Sequence, residues 1–234
     1  MSIANYDVKT YNSSGRIIQV EYAMKAMNTG PTTIGIRLKD SVILVSQKQI
    51  SNSLQVHSSI KRHYKIYDTI LAGVTGIIGD APTIIKKTRN ICLDHEKIFK
   101  EQIDIHKLME DLCDLALKFS EEKYEEKIFS RPFGISVLIA AYQNKRPILY
   151  NINPSGSYLE YKAKAIGSAH EVLETILQDE YENFTDEDAS IKKALEIMKG
   201  VVKDKINENN VEISVVRESG IQFLTPSEIL AYIQ

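Results

Sequence analysis

What most constrains the fold of this chain is the order of its elements, because strand patterns come in blocks and so do helix patterns. Residues 32–37 and 41–47 are rich in Ile and Val and flank a Lys39-Asp40 turn, which predicts a strand pair. Residues 64–67 and 69–75, on either side of Asp68, predict a second pair. Residues 133–142 and 147–152 flank Asn144-Lys145 as a third, and the turn Pro154-Ser155-Gly156 leads into 157–161 and 163–166. A last pair spans 211–216 and 221–224. Parallel βαβ units would alternate strand and helix strictly. Blocks of strands argue instead for antiparallel sheets with helices segregated on their faces, an α+β layered domain.

The helix patterns sit between those blocks. Ile84-Ile85, Ile91-Cys92 and Ile98-Phe99 recur every seven residues, so a helix capped by Asp80, with Pro82 in its first turn, is expected to bury a continuous seam. Ile105, Leu108, Met109, Leu112, Leu115, Ala116 and Phe119 give a second helix the same logic. Cys92 and Cys113 fall on or beside these seams, as buried inert thiols. Ser168 with Glu171, and Thr225 with Glu228, have capping-box spacing, and Pro226 stands at a first helical position. Thr185 is placed to cap a helix whose acidic first turn, Asp186-Glu187-Asp188, complements the helix dipole. The charged stretch 121–127 reads as a linker, but none is long enough to separate two domains, so 1–234 is expected to be one.

Composition removes several functions. A net charge of −2 lacks the Lys and Arg excess that nucleic acid or a membrane surface would demand, and Lys61-Arg62-His63-Tyr64-Lys65 reads as a solvated basic run. No apolar run approaches the ~20 residues of a membrane span. Two cysteines cannot build a disulfide framework, which points to a reducing compartment. The five histidines show no paired spacing, so no metal site and no cofactor are expected.

Residues 13–30 form the remaining segment. Ser13 or Ser14 can cap a helix, Ile17, Val20, Met24 and Met27 make one apolar stripe, and Asn28-Thr29-Gly30 supplies a stop. Its wording is more specific than its spacing. Gly15-Arg16 followed by Gln19-Val20-Glu21-Tyr22-Ala23 resembles the signature of proteasome alpha subunits. The resemblance continues, in order, through Gly76-Ile77-Ile78-Gly79-Asp80-Ala81, Arg131-Pro132-Phe133-Gly134, Asn153-Pro154-Ser155-Gly156 and Ala165-Ile166-Gly167. Ser58-Ser59-Ile60, residues 115–119, Gly167-Ser168-Ala169 and Asn210-Val211-Glu212-Ile213 look most like the type-5 class within that family.

The resemblance implies a four-layer αββα sandwich of two antiparallel sheets, of the N-terminal nucleophile hydrolase kind, with an extra N-terminal helix. Catalytic members of such particles attack with an N-terminal threonine whose own α-amine is the base, tuned by a lysine and an aspartate. Here the matching positions are Pro31, which has neither hydroxyl nor primary amine, Gln47, which has no charge, and Arg62 (or His63), where arginine holds its proton. Thr32 and Thr33 would serve only after loss of the whole preceding helix, and read as β-formers opening a strand. No catalytic residue is therefore expected. The rival reading is a processed N-terminal threonine hydrolase of related fold.

What the resemblance implies instead is a subunit of the 20S core particle that scaffolds the alpha ring with six other alpha subunits on a beta ring. It would help gate substrate access, receive the C-terminal tails of a regulatory particle or other activators, and so support ubiquitin-dependent protein degradation in cytoplasm and nucleus. The gate tail would be residues 1–12, with Tyr6, Asp7, Tyr11 and Ser13 as gate positions. The family's Tyr-Asp-Arg appears only as Tyr6-Asp7-Val8, two residues closer to Gly15, and its proline is replaced at Ser13. The tail pocket maps to Gly30, Arg62 and Ile77, with Arg62 in place of a lysine that pairs with the incoming carboxylate.

Overall fold

In a computed structural model of the chain, residues 10–52, 54–120, 130–202 and 206–233 are described. Helix α1 (Ile18–Met27) precedes β1 (Thr33–Arg37) and β2 (Ser41–Gln47), and a second pair follows as β3 (His63–Tyr67) and β4 (Ile70–Gly76). Helices α2 (Ala81–Phe99) and α3 (Ile105–Leu117) lead to β5 (Ile135–Gln143), β6 (Arg146–Ile152), β7 (Tyr158–Glu160) and β8 (Ala163–Ile166). Helices α4 (His170–Glu180) and α5 (Glu187–Val201), the hairpin β9 (Val211–Arg217) and β10 (Gly220–Phe223), and α6 (Pro226–Ile233) complete the order. The strands make two five-stranded antiparallel sheets, β10-β9-β2-β1-β8 and β3-β4-β5-β6-β7.

Alternation along the inner strands assigns each side chain to a layer. In β2, Ile43 and Val45 join Leu173 and Leu177 of α4 and Ile191, Leu195 and Met198 of α5, while Val42 and Leu44 turn to the opposite sheet. In β5, Ile135, Val137 and Ile139 pack with α2 and α3, and Leu138 and Ala140 meet Val42 and Leu44 between the sheets. This is the αββα sandwich, and it explains why these strands read as unbroken apolar runs: both faces are covered. Cys92 and Cys113 lie in the α2/α3 layer, where burial pushes their thiols up to about 12 and about 11, respectively.

Helix α2 departs from the seven-residue seam at its last repeat. Ile84, Ile85 and Cys92 are buried, but Ile98 is 69% and Phe99 61% exposed. The helix has 19 residues, about 28 Å at 1.5 Å each. Arg89, near its middle, bonds the Lys65 carbonyl of the edge strand β3, and the last turn carries Ile98 and Phe99 into solvent. Phe99 rests there on His95, ring centroids 4.6 Å apart.

Capping is where local sequence misleads most. Asp80 precedes α2 but makes no side-chain cap. Thr185 yields to Asp186, whose carboxylate accepts the Ala189 N–H at 3.0 Å. No Ser168/Glu171 box forms, since α4 starts from Ala169 without a side-chain cap and the Ser168 N–H donates to Gly30 O at 2.9 Å. The Thr225/Glu228 box does form, with the Thr225 N–H reaching Glu228 Oε2 at 2.7 Å. The linker at 121–127 lies outside the described residues.

Candidate functional site

Three of the sequence motifs meet where α1 gives way to β1. Gly30 is buried against Gly76, so closely that a Cβ on Gly30 would stand 2.2 Å from the Gly76 nitrogen. Gly167 lies against the Pro31 carbonyl, and the Ser168 N–H closes on Gly30 O. Asp80 leaves its helix uncapped because its carboxylate has other partners. It takes both Arg131 Nη groups, at 2.9 and 3.0 Å, and the Gly134 N–H at 2.8 Å. The Ile77 N–H donates to Gly134 O at 2.9 Å.

Helix α1 begins later than its sequence suggests. Asn12 Oδ1 accepts the N–H groups of Ser14 and Arg16, both at 2.9 Å, and Gly15 takes a left-handed φ of 72°. This tight turn leaves Ser13 and Ser14 exposed and starts the helix after Ile17, with no side-chain cap. Of the predicted stripe only Met27 is buried, joined by Ala23, while Ile17, Val20 and Met24 are half-buried. Among the gate positions, Tyr11 is 73% exposed and Ser13 is exposed, and Tyr6 and Asp7 lie outside the described residues. A cavity of about 200 Å³ runs beside α1, lined by Gln19, Tyr22, Ala26, Ile77, Arg131 and Pro132.

The head of β1 is enclosed. The Thr75 hydroxyl donates to the Pro31 carbonyl. Thr32 and Thr33 are fully buried; Thr32 Oγ1 has no partner among the described residues, and Thr33 Oγ1 bonds Ser46 Oγ at 2.7 Å. A second cavity, about 520 Å³, opens beside them, lined by Thr29, Pro31, Gln47, Gln49, Ser168 and Val202 among others.

The basic run at 61–65 is a solvated face only in part. Arg62 is 7% exposed, its backbone N–H donates to Glu212 Oε2 at 2.7 Å, and its Nε and Nη1 are buried without partners among the described residues. Burial lowers its pKa, opposed by Tyr64 and Glu212. His63 is 2% exposed and bonds Ser46 Oγ through Nε2 at 2.7 Å and Ser214 Oγ through Nδ1 at 2.8 Å. Burial takes its pKa down to about 4, with Glu212 opposing and Lys48 reinforcing, so the ring is neutral at pH 7. Of the predicted tail pocket, Gly30 and Ile77 flank Gly76, and Ile77 lines the cavity beside α1. Arg62 lines neither cavity. No periodicity pointed to the partners of the buried pair, because Glu212 and Ser214 lie about 150 positions away and Ser46 belongs to the other sheet.

A two-sheet sandwich with a helix crossing into a proline-headed first strand defines the class. The family described as "Proteasome subunit" matches residues 27–216, and the N-terminal signature of the A-type proteasome subunits matches residues 5–26; the chain belongs to the proteasome subunit family, on its alpha side. Within that family it is similar to the type-5 class. A "Probable proteasome subunit alpha type-5" of Encephalitozoon cuniculi (strain GB-M1) is 50% identical over 97% of both chains. Its namesake in Schizosaccharomyces pombe (strain 972 / ATCC 24843) is 37% identical over 94% of this chain and 90% of that one. The "Proteasome subunit alpha type-5" of Dictyostelium discoideum is 34% identical over 94% and 91%.

Proposed function

We propose that this chain is a non-catalytic member of the alpha ring of the 20S core particle. It builds the ring with six other alpha subunits upon the beta ring, contributes its N-terminal segment to gating, and docks activator C-terminal tails. That role supports ubiquitin-dependent protein degradation, in cytoplasm and nucleus. The observation that carries the reading is the head of β1. A threonine nucleophile of this kind needs a free α-amine beside its hydroxyl. Pro31 offers neither, and its carbonyl is tied to Thr75. Removing residues 1–31 to expose Thr32 would strip away Met27 and Gly30, both packed against Gly76. The alternative of a processed threonine hydrolase has no observation in its favour.

For tail docking, the support is the Arg62 guanidinium, whose Nε and Nη1 lie buried without partners among the described residues and would pair with a carboxylate once the side chain turns outward. Particles reconstituted with Arg62→Ala should assemble and cleave peptides at their beta sites as before, while binding an activator-tail peptide at least tenfold more weakly. Arg62→Lys should retain the binding. Unchanged tail affinity in Arg62→Ala would remove the docking role.

A further inference from the structure

We infer that His63 is an acid-sensitive latch that fastens the edge strand β3 to the opposite sheet and releases it as pH falls. Strand β3 ends its sheet and pairs only with β4. Of its five residues Ile66 is buried and Tyr64 and Tyr67 are half-buried on the α2/α3 side, so His63 is the side chain of the strand that reaches the opposite sheet. The His63 ring crosses between sheets, bonding Ser46 of β2 at 2.7 Å and Ser214 of β9 at 2.8 Å. Ser46 passes the chain on to Thr33 of β1 at 2.7 Å. Elsewhere the sheets meet through Val42, Leu44, Leu71 and Leu138.

A neutral imidazole has one donor and one acceptor, and hydroxyls can answer both. A second ring proton would place a charge in this closed space. Glu212 of β9 attracts such a charge, but its Oε2 already accepts the Arg62 N–H. Lys48, just past β2, repels it, and Arg62 before β3 and Tyr64 within it are the ring's neighbours along the chain. From β1 and β4 the nearest groups are Thr33 and Gly73, which carry no charge. Burial outweighs these neighbours and holds the closed ring at about 4. Once β3 opens, the ring meets water and titrates near its ordinary ~6.5. Between those values the open form takes a proton that the closed form refuses, so opening is favoured as pH drops from 6.5 towards 4 and unaided above 7. The opening equilibrium should rise roughly twentyfold from pH 7 to pH 5.

Hydrogen–deuterium exchange of the full-length chain in its assembled particle tests this, read by mass spectrometry on peptides covering 57–76. After correction for intrinsic rates, the wild-type peptides should lose protection roughly twentyfold at pH 5 relative to pH 7. His63→Gln should abolish that dependence, whereas His57→Gln, in the same peptides, should leave it intact. Equal wild-type protection at both pH values, or the same acid loss in His63→Gln, would overturn the latch. Should His63→Gln not assemble, Ser214→Ala serves: it should open more at pH 7 and still respond to acid. No change in its exchange at pH 7 would equally overturn the latch.

Discussion

Lys145 holds a backbone conformation that glycine would adopt without strain. Asn144 and Lys145 join β5 to β6 at φ 54° and 59°, the two-residue turn that suits the right-handed twist of a hairpin. Asn tolerates that region and Lys does not, so Lys145→Gly should raise stability by about 0.5–1 kcal/mol in urea denaturation. A fall in stability would show that Lys145 contributes something the turn geometry does not reveal. The position of this turn was legible from two residues alone, since its chemistry is local. The run 61–65 was not. Five polar and aromatic letters in a row look like surface, yet His63 opens β3 facing the opposite sheet and Arg62, just before the strand, is drawn in beside Glu212. Their partners, Glu212 and Ser214, stand about 150 positions away, and nothing within a sequence window can pair them.

Elements were legible in kind and blurred at their ends. Each strand pair and each helix of the expected order is present, because periodicity reports which faces are covered. Helix starts depend instead on which acceptor wins an orphan N–H, and tertiary partners compete for the same side chains. Asp80 is the instructive case. It stands where an N-cap belongs, but joins two distant motifs by holding Arg131 and the Gly134 N–H. Its worth is therefore that of a tertiary clamp. Asp80→Ala should cost about 2 kcal/mol, with loosening at the β4–α2 junction. Asp186→Ala, which removes an ordinary cap from α5, should cost about 1 kcal/mol. Urea midpoints of the two variants compare them directly, and equal losses would reduce Asp80 to a cap.

For the whole molecule, the block order of strands was enough to foresee antiparallel sheets with helices on their faces, while the count of two sheets came with the family resemblance and neither revealed where the chain changes sheet. Strands β7 and β8 are separated by only Tyr161 and Lys162, yet belong to opposite sheets, β7 beside β6 and β8 beside β1. The crossing brings Gly167 to the Pro31 carbonyl and so helps close the head of β1. The candidate site was legible as a set of motifs because those strings resemble a family. Its geometry was not, since the contacts of Gly30 with Gly76, and of Pro31 with Thr75 and Gly167, arise only once both sheets are assembled. That closed strand head is the basis for reading the chain as a non-catalytic ring member. The most direct test is to treat particles isolated from the organism's own cells with a covalent inhibitor directed at N-terminal threonines, then to weigh every subunit. A non-catalytic ring member should be found inside the particle, unlabelled and still carrying its α1 segment. A chain shortened to Thr32 or Thr33 and bearing the inhibitor would contradict that reading.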